Sequence, residues 1–192
     1  MKILVIQILK ENELKQFKDA FYKIFNSNDP FGQMFNDSIE KRMILCPLDG
    51  FCLTKEQFEA LVGAINTVGD TKINVSEVES ETDCFAVQGN NDKYQCQHWR
   101  LDKGILYNEY FRLPIIVENA IFSPNGKWGI LISHEEHAVI GGTDEFINAF
   151  KELYPLWEEG QKNFEMQWNY NKNEYRSDVD WISKFINHVN NR

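Results

Sequence analysis

Apolar and polar residues recur with two different periods along this chain, and each change of period marks a boundary between predicted elements. The stretch NELKQFKDAFYKIFN, residues 12–26, has apolar side chains every three or four positions, which predicts an amphipathic helix with lysines and Asp19 on its outer side. A second helix is predicted over residues 54–69, where Thr54 and Gln57 have the spacing of a capping box. Each helix has one apolar side, so each is expected to cover a core.

Helical spacing returns in the C-terminal part of the chain. The stretch GGTDEFINAFKELYP predicts a helix with Thr143 at its N-cap and Pro155 at its end. The stretch RSDVDWISKFINHVN predicts a terminal helix capped by Ser177. Between them, residues 158–175 have no clear period and are interpreted as a long loop or an irregular helix.

Strand patterns dominate the middle of the chain. Over residues 72–142, β-branched and aromatic residues alternate with polar ones, and turn signals recur at GNND, LDKG and SPNG, which predicts roughly four to six antiparallel strands. The apolar run over residues 3–9 and the stretch RMILCPL predict further strands. Alternation groups Trp128 with Ile130 and Ile132 on one face, so Trp128 is expected in the core.

Together these elements predict one α+β domain over residues 1–192, an antiparallel sheet covered by the N-terminal, central and C-terminal helices. Hydrophobic residues make up 43% of the chain, which is enough to build a real core. The apolar run at the N-terminus is short, is interrupted by Gln7 and has no cleavage site after it, so a cytoplasmic location is predicted.

Charge narrows the choice of partner. The chain has 29 acidic and 20 basic residues and a net charge of −9. Such a surface repels phosphate backbones and anionic membranes, which bind through Lys and Arg clusters, so neither nucleic acid nor membrane is an expected partner. It attracts a basic protein and speeds encounter with it.

The four cysteines, at positions 46, 52, 84 and 96, do not form a CxxC pair. With no export signal, a disulfide framework is not expected. Each cysteine has apolar or aromatic neighbours in the sequence, so all four are predicted to be buried free thiols.

The stretch LISHEEHAVIGG, residues 131–142, raises the question of a metal site. If Glu135 and Glu136 form a tight turn between two strands, His134 and His137 become an opposed pair whose nitrogens could meet one metal. Cys96 and His98 could then be further ligands. Zinc needs three or four protein ligands, and the helical His-Glu-x-x-His pattern places its histidines four apart rather than three. No metal, cofactor or catalytic residue is therefore predicted. Glu-Glu is also poor in a two-residue turn, which favours a loop of about four or five residues.

The stretch INVSEVESETD, residues 73–83, is the second unusual feature. On strand alternation its four acidic residues fall on one face, and four carboxylates in a row cannot be buried without partners. The face is either a solvated edge strand or a docking surface for a basic partner. We predict that the face is a docking surface made of Glu77, Glu79, Glu81 and Asp83. Glu135 and Glu136 are predicted to contribute to it more weakly.

No P-loop, GxGxxG or GxSxG motif occurs in the sequence. The aromatic stretch MQWNYNKNEY, residues 166–175, could stack on bases or sugars, but in so acidic a chain it is predicted to cover the core.

Residues 118–155, ENAIFSPNGKWGILISHEEHAVIGGTDEFINAFKELYP, combine a strand, an S-P-N-G turn, a K-W-G strand, a charged turn and a Phe-containing helix. In this order they resemble the C-terminal portion of small bacterial immunity proteins associated with polymorphic and contact-dependent toxins. The resemblance implies a stand-alone cytoplasmic protein that neutralises a toxin domain by covering it with an acidic surface. We therefore predict a non-catalytic protein-binding module; the alternative is a metal-dependent or histidine-based hydrolase that uses His134 and His137.

Overall fold

The computed structural model describes residues 5–8, 10–80, 83–86 and 95–190. Within these ranges the chain has seven strands: β1 (Val5–Gln7), β2 (Lys41–Leu45), β3 (Lys72–Glu77), β4 (His98–Asp102), β5 (Asn119–Phe122), β6 (Trp128–Ile132) and β7 (Ala138–Gly142). It has six α-helices in the same ranges: α1 (Glu11–Ile24), α2 (Lys55–Ala64), α3 (Tyr107–Tyr110), α4 (Asp144–Leu153), α5 (Gly160–Tyr175) and α6 (Ile182–Asn190). A 3₁₀ helix, Pro155–Glu159, joins α4 to α5.

All seven strands belong to one sheet in the order β1-β4-β3-β5-β6-β7-β2, and every neighbouring pair is antiparallel. The three consecutive strands β5, β6 and β7 are neighbours in the sheet, while β1 and β2 come from the N-terminal part and occupy the two edges. The predicted α+β fold with an antiparallel sheet is confirmed.

Helices cover both faces of this sheet, which creates two cores. One core contains Trp128 and Ile130 together with side chains of α2, α3 and α4. The other contains Leu131 and Val139 together with side chains of α1, α5 and α6. Because both faces are buried, β6 and β7 are apolar along their whole length rather than alternating. Trp128 is fully buried, as its strand pattern predicts.

Two of the predicted helix caps form. Thr54 Oγ1 accepts a hydrogen bond from the Gln57 amide at 3.3 Å, and Gln57 Oε1 accepts one from the Thr54 amide at 2.9 Å, which completes the capping box of α2. Thr143 caps α4 through the Phe146 amide at 3.3 Å. The predicted cap at Ser177 is wrong, because α6 begins only at Ile182.

The segment without a clear period is the regular helix α5. It buries Phe164 and Trp168 and begins at Gly160, which lies so close to β2 that a Cβ there would collide with the Ile44 carbonyl oxygen. This approach needs glycine. Of residues 166–175, only Trp168 is buried, whereas Met166, Tyr170 and Tyr175 are exposed, so the predicted cover of the core holds for Trp168 alone. No helix of the described part of the chain is long and apolar enough to cross a membrane.

Candidate functional site

The predicted acidic face does not form as one solvent-exposed row. Glu77, the last residue of β3, is completely buried, and its carboxylate accepts hydrogen bonds from the amides of Gln97 at 2.8 Å and Ile116 at 3.3 Å. These two hydrogen bonds compensate the burial of a carboxylate that strand alternation alone would place in solvent. The prediction that Glu77 lies on an exposed docking surface is therefore wrong.

The other members of that face have different positions. Glu79 is exposed and lies beyond the end of β3. Asp83 is exposed and forms a 2.6 Å ion pair with Lys18 of α1. Glu81 lies outside the described residues. The strand that would align these carboxylates has thus already ended before Glu79.

The β6–β7 turn separates the two histidines. Ile132 pairs with Ala138, which leaves a five-residue loop and confirms the longer turn that the sequence favours. Within it, Ser133 Oγ accepts a hydrogen bond from the Glu135 amide at 3.1 Å, and Glu136 has a positive φ of 57°. The side chain of His134 is half exposed, whereas His137 is completely buried.

The two rings also have different partners. His134 Nδ1 is 2.7 Å from Glu118 Oε1, and its Nε2 is 3.5 Å from Glu135 Oε1. His137 Nδ1 is hydrogen-bonded to Ser133 Oγ at 2.9 Å. Across residues 5–8, 10–80, 83–86 and 95–190, no group of three His, Cys, Asp or Glu side chains is placed to hold a metal.

Burial keeps His137 neutral. It lowers the pKa of His137 to about 4, and the backbone of Glu135 and Pro30 offsets part of this effect. His98 is similar: burial lowers its pKa to about 4, and its two nitrogens are hydrogen-bonded to Ser76 Oγ at 2.9 Å and the Cys84 carbonyl at 3.1 Å. Each of these histidines contacts a serine, but all four side chains are buried, so both serine–histidine pairs are structural.

Beside the turn lies an open cleft of about 590 Å³, which we call the aromatic cleft. Phe31 and Gln33 line it from the loop before β2, and Asp180, Trp181, Lys184 and Phe185 line it from the start of α6. The Phe31 ring packs edge-on against Trp181 at 5.2 Å, and Trp168 packs edge-on against the same indole at 5.0 Å. Three aromatic rings thus hold one another in fixed orientations.

Hydrogen bonds within the flanking turns position these rings. Asp29 Oδ1 accepts a hydrogen bond from the Phe31 amide at 2.9 Å, which fixes the loop that carries Phe31. Trp181 Nε1 donates to the Asp178 carbonyl at 3.2 Å. The Trp181 ring is therefore oriented by its own turn as well as by packing.

The aromatic cleft adjoins the histidine turn through Phe31. Phe31 contacts the His134 ring at 5.5 Å and the His137 ring at 5.4 Å. His134 in turn is paired with Glu118 and Glu135, so two carboxylates lie next to the histidine that Phe31 contacts. Asp180 adds a carboxylate and Lys184 an ammonium group to the lining itself. This arrangement suits a ligand with a flat or apolar body and a cationic end.

Sequence reasoning named Glu135 and Glu136 as candidates but did not name Phe31, Trp181 or Glu118. Phe31 lies in the stretch NSNDPFGQ, whose Pro and Gly indicate a break between elements rather than a site. Trp181 is in a turn before α6, where helical spacing assigns it no role. The signal in the sequence that could have indicated a site was Phe31, an aromatic residue between Pro30 and Gly32.

Comparisons with protein-family models, with curated proteins and with solved structures each return no match. Residues 118–155 fold as strand, turn, strand, turn, strand and helix, so a third strand, β7, lies between the charged turn and the helix in addition to the elements named for the resemblance. That order describes the fold, and the relation to immunity proteins stays a prediction. The function has to be argued from the surface of the chain itself.

Proposed function

We propose that this protein binds a basic protein without catalysing a reaction, and that the partner is a toxin domain that it neutralises in the cytoplasm. The aromatic cleft beside the acidic β6–β7 turn is the single observation that carries the proposal. It offers a rigid aromatic surface with carboxylates next to it, which is the combination that anchors a basic side chain of a partner.

The energetics favour an arginine as the anchor. A guanidinium group over an aromatic face contributes about 0.5–2 kcal/mol, more when water is excluded. Trp181 and Phe31 are partly exposed in the cleft, where Asp180 supplies a carboxylate and Lys184 an ammonium group. The net charge of −9 steers a basic partner toward the molecule from a distance.

The hydrolase alternative requires His134 and His137 to act together on a substrate. His137 is completely buried and faces Phe164 and Phe185 with ring distances of 4.9 Å and 5.5 Å. His134 alone is accessible, and it is paired with Glu118. The geometry therefore supports binding better than catalysis.

The decisive experiment uses the proteins encoded by the genes on either side of the gene for this chain. Each is purified and titrated against the full chain, and each is also tested for toxicity with and without coexpression of this chain. We expect one of them to be toxic, to bind, and to associate more slowly as salt is added. If neither neighbour binds, the immunity proposal is wrong.

Two variants then locate the contact. Trp181→Ala should weaken binding by at least tenfold, since it removes the central ring of the cleft. The matched control is Tyr175→Ala, which removes an exposed aromatic side chain near the end of α5, outside the cleft lining. Equal affinities for both variants would show that the partner docks elsewhere.

Charge reversal distinguishes the two acidic surfaces. Glu135→Lys together with Glu136→Lys changes the turn behind the cleft, and Glu79→Lys changes the exposed acid that follows β3. We expect the turn variant to slow association more than the Glu79 variant, most clearly at low salt. The reverse order would move the docking surface to the end of β3.

A further inference from the structure

A second cavity, which we call the cationic cavity, lies where β2, the end of α4, the 3₁₀ helix and the end of α6 meet. Its volume is about 240 Å³, less than half that of the aromatic cleft. The two sites are separate, because the aromatic cleft uses the start of α6 and the cationic cavity uses its last two residues. The charged, aromatic and amide side chains of its lining are Arg42, Lys151, Trp157, Glu158, Gln161 and Asn190.

The charge of Arg42 is not balanced by a carboxylate. Its guanidinium group donates hydrogen bonds to three carbonyl oxygens, those of Ile39 at 2.9 Å, His188 at 2.7 Å and Asn36 at 3.1 Å. None of the ion pairs in the part of the chain that the structure describes includes Arg42. The carbonyl oxygens fix the orientation of the guanidinium group, and its full positive charge remains at the cavity.

Lys151 brings a second positive charge to the cavity. Its Nζ lies 3.8 Å from the centre of the Trp157 ring, which holds the ammonium group over the indole. Among the described residues, neither a hydrogen-bond acceptor nor an ion-pair partner contacts Nζ, which has three N–H groups to donate. Burial lowers the pKa of Lys151, and the charge of Lys41 acts in the same direction. An anion in the cavity would relieve both effects.

The local charge of this cavity is opposite to that of the whole chain. Its lining has two cationic side chains and one carboxylate, that of Glu158, although the net charge of the chain is −9. Salt screens exposed charges that are more than about 8 Å away, so the groups of the lining determine which small ion binds. Asn190 Nδ2 donates to Gln161 Oε1 at 3.2 Å, which leaves its second N–H available to a ligand.

We propose that the cationic cavity binds phosphate, either the free ion or the phosphate group of a small molecule. Arg42 and Lys151 would hold the oxygens, since guanidinium and ammonium groups are the usual phosphate ligands in proteins. A phosphate monoester carries a charge of about −1.5 to −2 at neutral pH, which matches two cations. The cavity is smaller than the roughly 300–1,000 Å³ of sites for drug-sized ligands, so any organic part is small. This proposal does not depend on the proposed toxin partner.

The test is isothermal titration calorimetry of the full chain at constant ionic strength. Inorganic phosphate and glycerol 3-phosphate are titrated separately, with sodium chloride as the control. We expect one phosphate per chain, and the tighter of the two ligands shows whether the free ion or a monoester is preferred. The NMR signal of the Trp157 indole N–H, assigned by its loss in Trp157→Phe, should shift on binding. If neither ligand saturates a site below about 10 mM, the proposal is wrong.

Two variants show whether phosphate binds in this cavity. Lys151→Gln should weaken binding by about fivefold or more, because it removes one of the two charges. The matched control is Lys55→Gln, which removes an exposed lysine paired with Glu59 outside the lining and should leave the affinity unchanged. Glu158→Gln removes the only carboxylate of the lining and should tighten binding. Glu158 is exposed, so this variant tests the site even if Lys151→Gln does not fold. Phosphate affinity that is the same in Glu158→Gln as in the unmodified chain would place the phosphate elsewhere and overturn the proposal.

Discussion

Trp128 and Asp70 are joined by a buried hydrogen bond of 2.9 Å between the indole Nε1 and Oδ2 of the carboxylate. Asp70 lies between α2 and β3, and it is almost fully buried. It also accepts hydrogen bonds of 2.6 Å from Ser123 Oγ and from Asn125 Nδ2, both in the turn between β5 and β6. One carboxylate therefore ties the exit of α2 to the central hairpin and to the largest core side chain.

Removing the Asp70 carboxylate should strongly lower the free energy of unfolding. Asp70→Ala leaves the buried Trp128 N–H and the buried Ser123 O–H without their acceptor, and we expect a loss of about 3–5 kcal/mol in the free energy of unfolding. Urea denaturation measures it. Asp19→Ala is the control, because its exposed ion pair with Lys15 should contribute less than about 1 kcal/mol. Equal losses in the two variants would show that Asp70 has no such role.

Local pattern was enough to predict the central part of the fold. Thr54, Gln57 and Thr143 act through neighbours three residues away, and such contacts are visible in sequence. Trp128 was correctly placed in the core by strand alternation. The hydrogen bonds to Asp70 could not be predicted from local pattern, because their donors are more than fifty residues away in the sequence.

The errors have the same physical origin. Glu77 was expected in solvent because its carboxylate has no partner nearby in sequence, yet two amides from distant loops bind it. The sequence does not distinguish the regular helix α5 from a loop or an irregular helix, because only Phe164 and Trp168 among its large side chains are buried and its apolar stripe is narrow. The aromatic cleft forms between the loop before β2 and the turn before α6, and no hydrophobic period in the sequence indicates that these two segments meet.

The buried histidines make stability depend on pH. His98 and His137 have a pKa of about 4 when folded and 6.5 as the ordinary value, so the unfolded chain binds protons more readily between these limits. The stability that depends on these two neutral histidines is fully present above pH 6.5. As the pH falls toward 4, the free energy of unfolding decreases by about 1.4 kcal/mol per pH unit for each histidine. Urea unfolding at several pH values should show a shallower decline for His137→Gln than for the unmodified chain. Parallel declines would mean that His137 is protonated without unfolding.

The close contact between α5 and β2 should not tolerate a side chain at Gly160, the first residue of α5. Gly160→Ala places a Cβ against the Ile44 carbonyl, so α5 or β2 must shift, and we expect a loss of about 1–3 kcal/mol. Gly104→Ala is the matched control, since its new Cβ would have only the Asp102 side chain nearby, at 3.3 Å. Thermal unfolding compares the two. A Gly160→Ala protein as stable as the control would contradict this packing.

The Phe31 ring should keep His137 neutral. It covers the imidazole at 5.4 Å, and burial is the main cause of the lowered pKa of His137. In Phe31→Ala, water reaches the ring, and the pKa of His137 should rise from about 4 toward 6.5. Histidine-selective NMR titration follows this change. His98 serves as the internal reference, because it packs on Phe85 and Phe17 instead and should titrate as before. If the midpoint of His137 does not move, the rings of α5 and α6 bury it without Phe31, and the loop side of the aromatic cleft does not control its protonation.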